Sequence, residues 1–219
     1  MGKGKTVILF DLNGTLTDPG AIGGAWGAPD LGVAVLAAAV QSAMVDAILG
    51  NSRAFSEHVE AALRDEVGRL GLEPERIDEA LEAAAALPAF ADTAPGLDAM
   101  AGAGLRLVVL TNSGADAARR TLEANGLAER FERILGVDAV GSFKPDPAVY
   151  RYALEELGCD AHEVTFVSAH AWDLAGAAHA GMRSAFVRRD EPWASAYPRP
   201  DIEATTLPGI ATALAALAA

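Results

Sequence analysis

The chain has 219 residues, 51% of them hydrophobic and 21% charged, which is enough for one substantial α/β domain with a smaller insertion and excludes a disordered chain. Its formal net charge of −13 argues against a nucleic-acid partner, because phosphate backbones are bound by surplus Lys and Arg. An anionic small molecule stays open as a substrate, provided that the fold builds a locally positive pocket.

The first predicted strand spans residues 6–10 and follows the short basic start Met1-Gly2-Lys3-Gly4-Lys5. No long apolar region follows this start, and no run in the chain approaches the roughly 18 apolar residues of a membrane span. We therefore expect a cytoplasmic protein that does not enter a membrane. Cys159 is the single cysteine and cannot pair within the chain, so we interpret it as structural.

Residues 20–90 show a different pattern, with several helical runs and no clear strand-like run. The helical runs are Leu31 to Leu49, Ser52 to Leu70 and Pro74 to Leu87. We interpret this region as a helical insertion after the first strand.

Four further strand-like runs follow the insertion, at Leu105 to Leu110, Arg133 to Val137, Val164 to Val167 and Ser184 to Val187. Helical stretches alternate with them, which predicts a parallel sheet with helices on its faces. In an open sheet of this kind, ligands bind outside the carboxyl ends of the strands. Functional side chains should therefore stand just after each run.

Polar residues stand at the ends of three predicted strands. Asp11 follows residues 6–10, Thr111-Asn112-Ser113 follows residues 105–110, and Ser168-Ala169-His170 follows residues 164–167. The carboxyl ends of parallel strands lie at one edge of the sheet, so these groups should converge on one crevice. Asp11, followed by a glycine that permits a sharp turn and then by a hydroxyl, can attack an electrophilic carbon or phosphorus. The alternative is that Asp11 merely caps a turn.

Four segments, in order along the chain, resemble the motifs of the haloacid dehalogenase superfamily. The first is the strand followed by Asp11-Leu12-Asn13-Gly14-Thr15-Leu16, and the second is Leu110-Thr111-Asn112-Ser113. Lys144-Pro145-Asp146 matches the third motif, and Ser168 to Asp173 occupies the place of the fourth. The resemblance implies an α/β, Rossmann-like core of residues 1–18 and 91–219, with helices on both faces of a parallel sheet, and a helical cap domain of residues 19–90.

Two departures from the phosphatases of this superfamily select a branch. Those enzymes usually carry a second Asp two residues after the nucleophile as a general acid, and the amide of Asn13 cannot serve as one. They also hold Mg²⁺ with acidic residues of the fourth motif, where this chain has Ser168 and His170 before Asp173. A metal-dependent phosphatase is therefore disfavoured.

The same positions resemble the type II 2-haloacid dehalogenases, in which a Tyr stands six residues after the Lys of the third motif, as Tyr150 does after Lys144. The resemblance implies that Asp11 displaces halide from the carbon next to the substrate's carboxylate, and that water then hydrolyses the enzyme ester. It implies a small anionic substrate, no metal and no organic cofactor. A homodimer is also expected, because dimers are common in that family.

The resemblance assigns the remaining catalytic roles. Lys144 would keep Asp11 ionised and oriented, because a neighbouring positive charge lowers the pKa of a carboxylate; a surface salt bridge is the alternative. Asp173 would hold Lys144 or the hydrolytic water, with help from Ser168, unless it only caps a helix. His170 is favoured as the base for ester hydrolysis, against the alternative of a structural histidine. The other histidines, His58, His162 and His179, are expected at the surface or in packing.

Substrate binding is assigned to Thr15, Thr111, Asn112, Tyr150, Gln41 and Trp172. The alternatives are turn formation, helix capping and, for Trp172, the core. One departure remains, because the dehalogenases usually carry an Arg in the first long cap helix and residues 36–41 contain none. Gln41 or Arg53 could replace this Arg. Two other hypotheses stay open: a phosphatase of a small phosphorylated metabolite and, because this Arg is missing, a binding protein that kept the fold but lost turnover.

Overall fold

The computed structural model describes residues 6–189 and 192–218, so the basic start at residues 1–5 lies outside the described residues. Six parallel strands form one sheet in the order β3-β2-β1-β4-β5-β6. The strands are β1 (Val7–Phe10), β2 (Arg106–Thr111), β3 (Arg133–Gly136), β4 (Val164–Ser168), β5 (Arg183–Val187) and β6 (Ile202–Ala204). The predicted parallel α/β sheet is confirmed.

The sheet is buried on both faces, which explains why its central strands are continuous apolar runs rather than alternating ones. Successive side chains of a strand point to opposite faces. Val7 and Leu9 of β1 accordingly belong to one hydrophobic cluster, and Ile8 and Phe10 belong to another on the opposite face. β1 therefore sits in the middle of the core, and the residue that follows it is held by both layers.

Helices cover both faces of the sheet and fill the long connection between β1 and β2. The connection contains a 3-10 helix (Pro19–Trp26) followed by α1 (Pro29–Leu49), α2 (Phe55–Leu70) and α3 (Ile77–Ala85). The remaining helices are α4 (Thr93–Gly102), α5 (Ala115–Ala124), α6 (Pro147–Leu157), α7 (Ala171–His179) and α8 (Leu207–Ala218). The helical run predicted from Pro74 begins as a short 3-10 turn, Pro74–Arg76, and becomes α-helical only at Ile77.

Two glycines let α1 pack closely against the 3-10 helix that precedes it. A Cβ atom on Gly32 of α1 would lie 1.9 Å from the carbonyl oxygen of Pro19, and one on Gly23 would lie 1.9 Å from that of Ala28. Such distances are far inside van der Waals contact, so only glycine fits at either position. This contact fixes where α1 begins and, with it, the helix face that reaches the end of β1.

α1 corrects the expectation that no run of the chain matches a membrane span. It has 21 residues, its most apolar window has a mean hydropathy of 1.9, and by length and composition alone it could cross a membrane. In the folded protein 44% of that window is buried. A core helix of a soluble protein has the same composition, so this property carries little weight.

Candidate active site

Asp11 follows β1 directly and is held by hydrogen bonds from two sides of the crevice. Its backbone N–H donates to the carbonyl oxygen of Val167, 3.0 Å away, which ties it to the end of β4. The hydroxyl of Thr15 donates to Asp11 Oδ2 at 2.7 Å and in turn accepts the N–H of Ala169 at 2.9 Å. The side chain is only 7% exposed, so its orientation is fixed before a substrate arrives.

Lys144 is completely buried and uses all three of its N–H donors. Its Nζ lies 2.7 Å from Asp11 Oδ1, 2.6 Å from Asp173 Oδ2 and 3.1 Å from the carbonyl oxygen of Leu110. Its backbone N–H donates to Asn112 Oδ1 at 2.9 Å, which fixes the start of this side chain beside the end of β2. Burial excludes the alternative of a surface salt bridge.

The three charges of this cluster set each other's protonation. Burial raises the pKa of Asp11, but the positive charge of Lys144, a contribution from His170 when its ring is protonated, and the hydrogen bonds from Lys144 and Thr15 outweigh it, and the pKa lies below its usual range. Burial likewise lowers the pKa of Lys144, but the two carboxylates outweigh it and raise the value. Burial raises the pKa of Asp173, and Lys144 offsets this only in part. Asp11 is therefore the carboxylate that stays ionised, as a nucleophile requires.

Asp173 lies in the first turn of α7, but its carboxylate faces the cluster instead of capping the helix. Tyr150 donates its hydroxyl to Asp173 Oδ1 at 2.6 Å, and Ser168 Oγ lies 3.5 Å from Asp173 Oδ2. Burial and the negative charge of Asp173 raise the pKa of Tyr150 well above its ordinary value, so the hydroxyl keeps its proton. Tyr150 and Ser168 thus support Asp173, and Asp173 supports Lys144.

His170 stands between Asp11 and the open side of the crevice. Its Nε2 lies 3.0 Å from the carbonyl oxygen of Asn13 and 3.7 Å from Asp11 Oδ2, and its ring stacks on Trp172 with centroids 5.6 Å apart. Its backbone N–H donates to Ser168 Oγ at 3.0 Å. The ring is therefore positioned, and it is near enough to Asp11 to act on a water beside that carboxylate.

The side chain of Asn13, in the turn after β1, makes two hydrogen bonds. Its Nδ2 donates to Ser113 Oγ at 3.4 Å, and its Oδ1 accepts the hydroxyl of Thr17 at 3.3 Å. No proton that it carries can be given to a leaving alcohol.

Two cavities meet at this cluster. The inner one, of about 20 Å³, is next to the nucleophile and is lined by Asp11, Asn13, Leu36, Val40, Phe55, Thr111, Asn112, His170 and Trp172. The outer one, of about 750 Å³, shares four of these walls, namely Leu36, Val40, His170 and Trp172. The structure thus brings Thr111, Asn112 and Trp172 together at cavity walls, as the sequence analysis predicts.

Four other predicted positions lie away from the inner cavity. Thr15 and Tyr150 are completely buried and line neither cavity, and their hydroxyls donate to the carboxylates of Asp11 and Asp173. Arg53 donates to both oxygens of Asp46 at 2.7 and 2.6 Å and also lies outside both cavities. Gln41 lines only the outer cavity. The cap-helix Arg of the dehalogenases therefore has no cationic substitute from α1 or α2, and apolar Leu36 and Val40 occupy this wall.

Arg189 is a site residue to which the sequence analysis assigns no role. It follows β5, lines the outer cavity, and donates to the carbonyl oxygen of Thr15 at 3.1 Å and to Asp92 at 2.8 Å. Its guanidinium also lies over the ring of Phe90, 4.1 Å from the centroid. The arginine pair at the end of a predicted strand was the signal that could have located it.

Among the described residues, no group of three or more His, Cys, Asp or Glu side chains is placed to hold a metal ion. Asp11 and Asp173, the two carboxylates of the cluster, are both bonded to the ammonium of Lys144.

Comparisons with known proteins show the family to which the chain belongs. Residues 5–181 match a family model described as haloacid dehalogenase-like hydrolase. The chain is 30% identical over 190 residues to (S)-2-haloacid dehalogenase of Pseudomonas sp. (strain YL), covering 83% of this chain and 82% of that protein. It is 35% identical over 109 residues to (S)-2-haloacid dehalogenase 1 of Pseudomonas sp. (strain CBS-3). That match covers 50% of this chain and 48% of the relative, so the chain matches about half of the relative's length.

A solved structure shows the same fold. L-2-haloacid dehalogenase from Xanthobacter autotrophicus, with chloropropionic acid covalently bound, aligns with a TM-score of 0.87 at 23% identity. The alignment covers 97% of this chain and 99% of that one. The arrangement of strands and helices is therefore shared along nearly the whole chain.

Proposed function

Because the chain belongs to the haloacid dehalogenase-like hydrolases, we propose that it hydrolyses 2-haloacids to 2-hydroxy acids through an ester on Asp11. The observation that carries this proposal is the carboxylate of Asp11, ionised by buried Lys144, oriented by Thr15 and facing a cavity. Asn13 supports carbon as the site of attack, because a phosphatase needs a general acid at that position. The names of the relatives support the substrate class.

In the first step, a carboxylate oxygen of Asp11 attacks C2 of the substrate. A C–O bond forms, the carbon–halogen bond breaks, and the halide leaves with the bonding electron pair. Lys144 holds Asp11 ionised, and Thr111 and Asn112 supply polar groups at the inner cavity for the substrate's carboxylate.

In the second step, water attacks the carbonyl carbon of the ester, and His170 takes a proton from that water. The ester C–O bond to the aspartyl carbonyl breaks, which releases the 2-hydroxy acid and restores the carboxylate of Asp11. The sum consumes one water and releases halide and a proton. The position of the His170 ring beside Asp11, with Nε2 3.7 Å from Asp11 Oδ2, supports His170 as this base.

The test is halide release from 2-chloropropionate by the purified protein in the presence of a chelator. We expect release by the wild type and none by Asp11→Asn, together with an Asp11 ester that mass spectrometry detects and that turns over. Equal halide release by wild type and Asp11→Asn, or release of phosphate from small phosphate esters only when Mg²⁺ is added, would contradict the proposal.

We further propose that residues 19–90 act as a cap domain and that the protein is a cytoplasmic homodimer. The walls that α1 contributes to both cavities support the cap. Val45, Ile48 and Leu49, all exposed near the end of α1, support pairing with a second copy. Light scattering coupled to size-exclusion chromatography measures the mass of the protein in solution. The mass of a monomer would contradict the homodimer.

A further inference from the structure

The inner cavity is too small to hold a haloacid by itself. A buried water needs roughly 10–15 Å³, so about 20 Å³ admits little more than one water-sized group. A substrate with its C2 atom at Asp11 must therefore extend past the four shared walls into the outer cavity. Those walls are Leu36 and Val40 of α1 on one side and His170 and Trp172 on the other.

The outer cavity has the size and lining of a site for a larger apolar group. Its volume of about 750 Å³ lies within the range of roughly 300–1,000 Å³ found for sites that enclose drug-sized ligands. One face of α1 supplies Val33, Leu36, Ala37, Val40 and Met44, at the three- and four-residue spacing of a helix stripe. A methyl group, the tail of 2-halopropionate, would leave most of this surface in contact with water.

The charged groups around the outer cavity do not favour a substrate with a second charged group. No Asp or Glu among the described residues lines it. Arg189 lines it, but its guanidinium already contacts Asp92, the carbonyl oxygen of Thr15 and the ring of Phe90. Binding a second anionic group there would compete with the ion pair to Asp92.

We propose that this protein selects 2-haloacids with an extended, uncharged hydrocarbon tail, and that the outer cavity binds this tail. The inference rests on the proposed dehalogenation at Asp11 and adds the substrate class that the site prefers. Leu36 and Val40 then contact the first carbons of the tail, at the place where the dehalogenases usually have an Arg. Selection follows from burial, because each methylene removed from water strengthens binding about fourfold.

The experiment measures kcat/KM for 2-bromopropanoate, 2-bromohexanoate and 2-bromooctanoate, which share the leaving group and differ in tail length. We expect kcat/KM to rise by about tenfold or more from the shortest acid to the longest. Ala37→Trp fills the outer cavity from an exposed position of α1. This variant should reduce the rise along the series to about twofold or less. Ala61→Trp, at an exposed position of α2 outside both cavities, is the matched control and should behave as the wild type.

A binding measurement separates the two proposals. Calorimetry with propanoate and octanoate, which carry no halogen, should show tighter binding of octanoate to the wild type and no such difference in Ala37→Trp. Tail-dependent binding without halide release would overturn the dehalogenation and leave the tail site standing. Turnover of 2-bromopropanoate with kcat/KM that is flat or falling along the series, or an equal loss in both Trp variants, would overturn the tail site alone.

Discussion

At the scale of single residues, Lys144 is the group on which the others depend. It is buried between two carboxylates, so its removal leaves Asp11 and Asp173 in the core without a counter-charge. Breaking a buried ion pair in this way typically costs about 3–5 kcal/mol. The same change removes the charge that keeps Asp11 ionised, and activity should fall with stability.

We therefore predict that Lys144→Met lowers the free energy of unfolding at pH 7 by about 3 kcal/mol or more and abolishes measurable turnover. In the variant, burial without a counter-charge raises the pKa of Asp11 and Asp173 above the value of the unfolded chain, so the variant binds protons and regains stability as pH falls. The gap between wild type and variant should accordingly narrow towards pH 4.

Urea denaturation at pH 7, 5 and 4 measures this gap. The control is Arg64→Met, which breaks an exposed pair with Glu60 on α2 and should cost less than about 1 kcal/mol at each pH. A gap that is small at pH 7, or that widens towards pH 4, would contradict the prediction.

Gly14 keeps space for the imidazole of His170, with which it is in contact. Its φ is +83°, a conformation that side chains other than glycine rarely adopt, and a Cβ there would lie 2.7 Å from His170 Nε2. Gly14→Ala should displace the imidazole and slow ester hydrolysis more than ester formation. We expect kcat to fall by about tenfold or more and the Asp11 ester to accumulate, in line with the usual contribution of a positioned base.

Rapid-quench mass spectrometry of the intact protein follows the ester on Asp11. Gly24→Ala is the matched control, because Gly24 lies in the same connection, has no atom within 4 Å of an added Cβ and does not have a positive φ. A variant that keeps wild-type kcat would show that the position of His170 does not matter to the second step.

The motifs identify the residues of the charged cluster from sequence alone, but they do not predict how deeply each side chain is buried. Asp11, Lys144 and Asp173 come together as predicted: Asp11 directly follows β1, Asp173 lies in the first turn of the helix after β4, and Lys144 lies in the segment between β3 and α6. The motifs assign Thr15 and Tyr150 to the substrate, whereas both are fully buried in the structure and donate hydrogen bonds to carboxylates. A hydroxyl in a motif looks the same in both roles, since burial is decided by the packing of other elements.

At the scale of elements, a buried polar network joins α1 to α2. Asp46 of α1 is fully buried and contacts Arg53, Asn51 and His58, while His58 Nδ1 lies 2.8 Å from Ser42 Oγ. The ring of His58 also packs edge-on against the ring of Phe143, with centroids 5.4 Å apart. Phe143 is the residue before Lys144 in the sequence. His58 was expected at the surface or in packing, and it lies in both packing and a hydrogen-bonded network.

This network makes the helical connection sensitive to acid. Burial lowers the pKa of His58, and the charge of Asp46 offsets this only in part. The unfolded chain therefore binds a proton at higher pH than the folded one does, and stability falls as pH drops below the ordinary histidine value of about 6.5. His58→Gln lacks this titration and should lose less stability between pH 7.5 and 5.5 than the wild type.

Thermal or urea unfolding at the two pH values tests the difference. His162→Gln, at an exposed position far along the chain, should keep the wild-type dependence on pH. Parallel slopes for wild type and His58→Gln would show that His58 does not contribute.

Element bounds followed from sequence where the apolar pattern was long enough to read. The five predicted strands agree with the observed ones to within one residue at each end, because each is an apolar run flanked by polar or turn residues. β6 was missed, since three residues, Ile202–Ala204, show no periodicity and stand close to Pro198 and Pro200. Its parallel pairing with β5, not its sequence, makes it a strand.

At the scale of the whole molecule, sheet order creates the site. β1 lies between β2 and β4, so Asp11 has Thr111 on one side and Ser168 on the other. The sequence predicts polar strand ends and their convergence, but the neighbours of each strand follow from the three-dimensional arrangement. The outer cavity is a further example, because its walls come from α1, α7 and several segments that are far apart in the sequence, including those after α3 and β5.

Net charge acts over the whole surface and should oppose the approach of the proposed substrate. The protein carries −13 and a 2-haloacid is an anion at neutral pH, while the buried charge of Lys144 is already balanced by two carboxylates. Electrostatic repulsion of this kind reaches roughly 30 Å at 0.01 M ionic strength and roughly 8 Å at 0.15 M. Salt should therefore favour binding and leave the chemical steps unchanged.

We predict that KM for 2-bromopropanoate falls about two- to fivefold between 0.01 M and 0.15 M ionic strength, with kcat constant. Sodium sulfate serves as the salt, because it adds no halide, which is itself a product of the reaction and could bind in place of the substrate. The uncharged 2-bromopropionamide, tested as an inhibitor, should bind equally well at both ionic strengths. If KM rose with salt while the amide stayed constant, the field at the mouth of the site would be positive, and local charges such as Arg189 would outweigh the net charge of the molecule.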